Sequence, residues 1–209
     1  MADPYKRIEL IVTIFLIAGF AFLAVQVLKK PPQTIKDQIR SIPASPEFSN
    51  LQNLYNTYKL VELEEEAISE LTELLNSNVI SERWAAVVSL AALLRENPEL
   101  EETIVPTLER ALEDGDDTIK MVAAAQLLSL GKKEGFPVLI VLLESEGTVF
   151  SSEPSEQIKD PSLAFLHQFT EFGGRTSQEW QEWWDQNKNS LFWNSEQGIF
   201  QIEEENYEN

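Results

Sequence analysis

The chain is predicted to be all-α: a single N-terminal transmembrane helix, then a short α-solenoid of about three helix pairs closed by a Trp-rich C-terminal cap. Three observations predict it. An apolar run begins at Ile8 and ends at Leu28, and at ~1.5 Å per residue it matches a ~30 Å hydrocarbon core. Apolar residues then recur at helical spacing from Leu60 onward. Finally, two of the later apolar stretches superpose on one another at an offset of 37 residues, a period of helix-pair repeats.

Within the first run the only polar side chain between Leu10 and Val25 is Thr13, whose hydroxyl can bond back to a helical carbonyl. Lys6, Arg7, Lys29 and Lys30 bracket the run. A cleaved signal would need a polar region after its small residues. Gly19 and Ala21 are instead followed by Phe22, Leu23, Val25, Val27 and Leu28, which favours a retained single-pass anchor. The basic residues nearly balance across it, so the positive-inside rule leaves the side of the soluble part undetermined.

Pro31, Pro32, Pro43 and Pro46 punctuate the next segment, and each disfavours helix in itself and in the residue before it. Residues 31–50 read as a tether, able to hold a domain up to ~60 Å from the bilayer if extended. Leu60, Leu63, Ala67, Leu71, Leu74 and Leu75 then form one stripe, with Glu62, Glu64, Glu65, Glu66, Glu70 and Glu73 mainly off it, the signature of an amphipathic outer helix. Residues 76–78 break it, and Ser81 stands as an N-cap before Arg83, Trp84, Ala86, Val87, Leu90, Ala91, Leu93 and Leu94. That second helix is apolar almost all round, so it is expected to lie between neighbours.

The pattern then repeats. Pro98 marks a turn, residues 101–113 give an amphipathic helix on Ile104, Val105, Leu108 and Leu112, and Asp114, Gly115, Asp116 and Asp117 form a capped turn before another apolar helix over 119–130. Setting Arg83 on Lys120 places Trp84 on Met121, Ala86 on Ala123, Val87 on Ala124, Leu90 on Leu127 and Leu93 on Leu130. A third, degenerate unit is expected from an outer helix over 138–144, an expanded loop over 146–161 and an inner helix carrying Leu163, Leu166, Phe169 and Phe172.

The run Asp116-Asp117-Thr118-Ile119-Lys120, then Ala123-Ala124, Leu127-Leu128, Leu130-Gly131 and Gly135-Phe136-Pro137, resembles HEAT-like repeat proteins, including the short repeats of phycobilisome bilin lyases. The resemblance covers about residues 60–190 and implies a fold far more than a function. The segment from Phe169 to Gly174, followed by Trp180, Trp183, Trp184 and Asn187, is similar to the one that closes many bacterial HEAT-like proteins. Glu171 stands where that pattern has a Gly after Thr170. The organisation expected is a transmembrane anchor in 1–30, a Pro-rich linker in 31–50, a HEAT-like α-solenoid with its cap in 51–193 and an acidic tail in 194–209.

Composition limits the functions open to such a chain. Sixteen Lys and Arg against 35 Asp and Glu give a net charge of −19 over 209 residues. A surface this acidic repels phosphate backbones and anionic headgroups, which argues against nucleic acid and favours another protein with a basic surface. With no cysteine there is no disulfide, thiolate nucleophile or Cys-ligated metal.

The residues singled out for partner binding are Arg83, Trp84, Lys120, Trp180, Trp183 and Trp184. Each also has a structural role open to it. Arg83 and Lys120 occupy equivalent repeat positions and are expected to pair with nearby turn carboxylates, and Trp84 to pack between inner helices. The C-terminal indoles, with Trp193, suit the apolar flank that the last unit of a solenoid exposes. Asp114, Asp116 and Asp117 lack the alternating ligands and closing Glu of an EF-hand loop, so no metal is assigned. His167, the single histidine, has no evident nucleophile to serve. No cofactor motif occurs. The function expected is a membrane-anchored, non-catalytic scaffold or adaptor. The alternatives are a tethered ligand-sensing domain using the Trp cluster and, as the family resemblance implies, a bilin-lyase-like enzyme.

Overall fold

The computed structural model describes residues 65–148 and 157–203. The expected anchor from Ile8 to Leu28 and the linker in 31–50 lie outside these residues, and no helix within them is long and apolar enough to cross a membrane. The described part is mostly helical, with seven α-helices and one short hairpin: α1 (Glu65–Leu74), α2 (Ile80–Glu96), α3 (Glu101–Ala111), α4 (Asp117–Ser129), α5 (Gly135–Leu142), α6 (Lys159–Gln168), α7 (Ser177–Asn187), β1 (Leu191–Asn194) and β2 (Ile199–Ile202).

The two long helices that are apolar almost all round, α2 and α4, are central. α2 packs on α1, α3 and α4, while α4 packs on α2, α3 and α5. Every residue from Trp84 to Leu94 is accordingly buried, as is every residue from Thr118 to Leu128 except Lys120. Among the helices flanking them, α1 and α3 are amphipathic by contrast. α3 buries Ile104, Thr107, Leu108 and Ala111, the i, i+3, i+4, i+7 face of a surface helix, and turns Glu101, Glu102 and Arg110 to water. Of the apolar residues that superpose at the 37-residue offset, four pairs are buried alike, Trp84 with Met121, Ala86 with Ala123, Val87 with Ala124 and Leu90 with Leu127, whereas Leu93 is buried and Leu130 only half-buried.

Two helix ends differ from expectation. α2 begins at Ile80, so Ser81 lies inside its first turn and Val79 occupies the N-cap without a side-chain cap. The Val79 carbonyl accepts from both Glu82 N and Arg83 N, and the Ser77 hydroxyl accepts from Val79 N at 3.1 Å, so the chain is turned one step earlier than the serine suggests. The inner helix expected to run to Phe172 stops at Gln168. There the Phe169 carbonyl is taken by Phe200 N of β2 at 2.8 Å, and the Thr170 hydroxyl accepts from Phe172 N at 3.2 Å. α4, in turn, starts as the sequence predicts, with Asp116 accepting from Thr118 N at 2.9 Å.

α4 ends in a Schellman turn. Lys132 N reaches Leu127 O and Gly131 N reaches Leu128 O, both at 2.9 Å, with Gly131 in the left-handed region at φ 73°. The next helix follows at once and sits close, because a Cβ on Gly135 would run into the Ala124 carbonyl and the Leu128 side chain. The chain closes with α7 against α5 and with the hairpin, which carries a return strand into 194–202, where the sequence suggests only an acidic tail. Leu191 pairs with Ile202 and Trp193 with Phe200; Leu191 and Phe200 are buried in the core.

Candidate interaction surface

The N-terminal ends of α2 and α4 are fixed by charge. Arg83 places Nε 2.8 Å from Asp114 Oδ2 and Nη2 3.0 Å from Asp114 Oδ1, and its Nη1 donates to Ser77 O at 2.9 Å. Lys120 Nζ lies 2.9 Å from Asp117 Oδ1, while Asp117 Oδ2 accepts from the Ser145 hydroxyl at 2.8 Å. The hydrogen bond from Lys120 leads in holding the Asp117 carboxyl below the usual aspartate range, with Ser145 acting in the same sense and partial burial opposing them. Both cations expected to meet turn carboxylates therefore do so.

The indoles sort by depth. Trp84 is 2% exposed within α2. Trp180 is fully buried and donates from Nε1 to Gly174 O at 3.0 Å. Nε2 of His167 sits 2.6 Å from the same oxygen; since a carbonyl only accepts, that nitrogen carries the proton. Trp183 is half-buried and stacked on Phe172, with centroids 5.3 Å apart and planes 9° from parallel. Phe136 of α5, itself fully buried, meets Trp183, Trp184 and Phe200 at 5.7, 5.5 and 5.2 Å. The structure thus gathers Trp180, Trp183 and Trp184 around Phe136 and Phe172, over the end of the helical stack, and leaves Trp84 in the interior of α2. Of the six residues singled out from sequence, Lys120 and Trp183 line surface clefts.

A further concave surface was not singled out. A groove of about 390 Å³ runs over α2, α4 and the end of α6, lined by Val88, Ala92, Arg95, Gln126, Ser129 and Phe165 among others. Arg95 Nη2 crosses it to donate to Gln126 Oε1 and to the Ser129 hydroxyl, each at 2.6 Å. Val88 and Ala125, and likewise Ala92 and Ser129, are 37 residues apart and all line the groove, so positions at one common offset supply it from both helices. Small residues do not signal it in the sequence, because alanines such as Ala86, Ala91, Ala123 and Ala124 fill the core of the same helices; the polar Arg95, Gln126 and Ser129 are its one mark. Phe165 and Gln168 complete the wall, and only the packing of α6 brings them there.

Among the described residues no group of three or more His, Asp or Glu is placed to hold a metal ion. No protein-family model, curated protein or solved structure matches the chain.

Proposed function

We propose that this protein is a membrane-anchored, HEAT-like α-solenoid that works as a non-catalytic scaffold or adaptor, engaging another protein with a basic surface. The anchor from Ile8 to Leu28 holds it at a bilayer, and confinement of both partners to one membrane raises their effective concentration, so a modest interface gives useful occupancy. The observation that carries the reading is the groove across α2, α4 and α6, which positions 37 residues apart line from both α2 and α4 with apolar and polar side chains. A solenoid uses such a surface because stacking places side chains of successive units side by side. The net charge of −19 selects the sign of the partner.

The test is copurification of the full chain from membranes in gentle detergent. Charge reversal at the groove, Glu96→Lys, is expected to lower recovery of a partner that the equally charged Glu102→Lys on the outer face of α3 leaves unchanged. Equal recovery with both variants, or recovery of no partner across several detergents, counts against the reading.

A further inference from the structure

The outer helices flanking α4 are not alike. α3 turns Glu101, Glu102 and Arg110 to water, whereas α5, of sequence GFPVLIVL, has no charged residue at all. One face of α5 is used: Phe136, Leu139, Ile140 and Leu142 are buried against α4, α6 and α7. The other face is apolar too. Val141 is 69% exposed, the most exposed large apolar side chain among the described residues. With Leu112, Pro137 and Val138 it lines a cleft of about 580 Å³ whose remaining wall holds Asp117, Lys120, Glu144 and Ser145. Val141 thus stands exposed beside the half-buried Leu112, Pro137 and Val138, an apolar surface on the second face of α5 that a partner's side chain can cover.

The charges around the cleft identify the occupant. Lys120, its one cation, is already paired with Asp117. That leaves the exposed carboxylate of Glu144 on the wall, and the exposed Glu113 follows Leu112 in sequence. The chain as a whole adds to the same negative field. An apolar seat beside the Glu144 carboxylate, on a strongly acidic chain, fits an aliphatic side chain presented between lysines or arginines, and it disfavours an acidic or a purely polar segment.

We infer that the cleft between α5 and the α3–α4 turn, centred on Val141, is a docking site for a partner segment carrying an aliphatic anchor flanked by basic residues. This rests on the adaptor reading and adds to it a second surface, on the outer side of the helical stack rather than in the groove. An adaptor needs two such surfaces to bridge anything beyond its own membrane.

The test uses the full chain in zwitterionic nanodiscs and a fluorescein-labelled hexapeptide with two central leucines between pairs of lysines, read by anisotropy. Val141→Asp is compared with Val79→Asp, since Val79 is also half exposed, at 50%, but lies elsewhere. Both variants add one negative charge, so binding by charge alone would be equal or tighter in each. The expected result is a loss of about tenfold for Val141→Asp only, a smaller loss for Glu144→Gln, and weak binding of the matching lysine–serine peptide. Thermal melts of the variants confirm that they fold. If Val141→Asp and Val79→Asp both bind as the parent does, the cleft is not the seat, while the basic-partner reading survives. No binding to the parent, the result if another part of the chain covers the cleft, overturns the inference. So does sedimentation showing that Val141→Asp turns a dimer into a monomer, because the occupant is then a second copy.

Discussion

Arg83 and Asp114 meet in a two-pronged ion pair, Nε to Oδ2 at 2.8 Å and Nη2 to Oδ1 at 3.0 Å, that ties the start of α2 to the turn before α4. Both side chains are mostly buried, at 14% and 12% exposure, so each would be left poorly solvated without the other. Asp114 also accepts from Asp116 N at 2.8 Å, which couples the pair to the cap of α4. Arg83→Ala is therefore expected to cost about 2–4 kcal/mol, more than a surface ion pair. Arg83→Lys should recover only part of this, because an ammonium cannot make the fork. Urea denaturation of both variants and of Asp114→Ala checks it, and a double-mutant cycle should give a coupling above ~1 kcal/mol.

Gly131 is required twice over. Its φ of 73° suits glycine, and a Cβ there would sit 2.7 Å from Cγ of Trp193. Gly131→Ala is expected to destabilise by about 2 kcal/mol or more, combining the left-handed penalty with displacement of the indole. A redistribution of Trp fluorescence should accompany the lowered Tm, since Trp193 packs on Phe200 at 4.9 Å. The control Gly115→Ala, where a Cβ meets nothing within 4 Å, should leave the emission unchanged.

Trp180 separates a structural cap from a recognition patch. It is fully buried, lies edge-on to Phe172 at 4.9 Å and 88°, and anchors the Gly174 carbonyl. Trp180→Ala is expected to cost about 3–5 kcal/mol. Trp180→Phe should cost less, because His167 remains on the same oxygen. Melting curves of the two variants decide it; a near-neutral alanine would show that the indole contributes little to closing the stack.

Much of this architecture is legible in the sequence because it follows from which faces can meet water. The all-round apolar helices around Leu90 and Leu127 had to be interior, and the 37-residue offset between them marks like burial as far as Leu90 and Leu127 but not at Leu93 and Leu130. Arg83 and Lys120 were legible as ion-pair partners because aspartates stand at the turns beside them. What escaped depends on packing between distant parts of the chain. Phe169 ends α6 because Phe200 takes its carbonyl, a contact no local pattern signals. The hairpin hides in a segment whose glutamates read as tail, and the groove needs Phe165 to arrive beside Ala125 and Ser129. The run over 138–144 was legible as an outer helix, but which of its apolar residues faces water is set by how α5 packs, and it is Val141.

Acid should loosen the fold partly through two carboxylates. Asp117 is held low chiefly by its hydrogen bond from Lys120. Glu179 is held low by the backbone N–H of Arg175, then that of Thr176, in a capping box where Thr176 Oγ1 accepts from Glu179 N at 3.2 Å. A carboxyl whose pKa is lower folded than unfolded binds fewer protons in the native state. Its contribution is therefore full above the unfolded pKa, near 4, and is lost as pH falls through the folded value. Stability measured from pH 6 downward should start to fall near pH 4. Asp117→Asn should flatten that slope and lower stability at neutral pH. Glu179→Gln should flatten it with little loss at neutral pH, because glutamine still reaches the N-cap backbone. Thr176→Ala, which breaks the box from its other side, should cost about 1 kcal/mol at every pH. An unchanged acid slope in both carboxylate variants would assign the acid sensitivity to other groups.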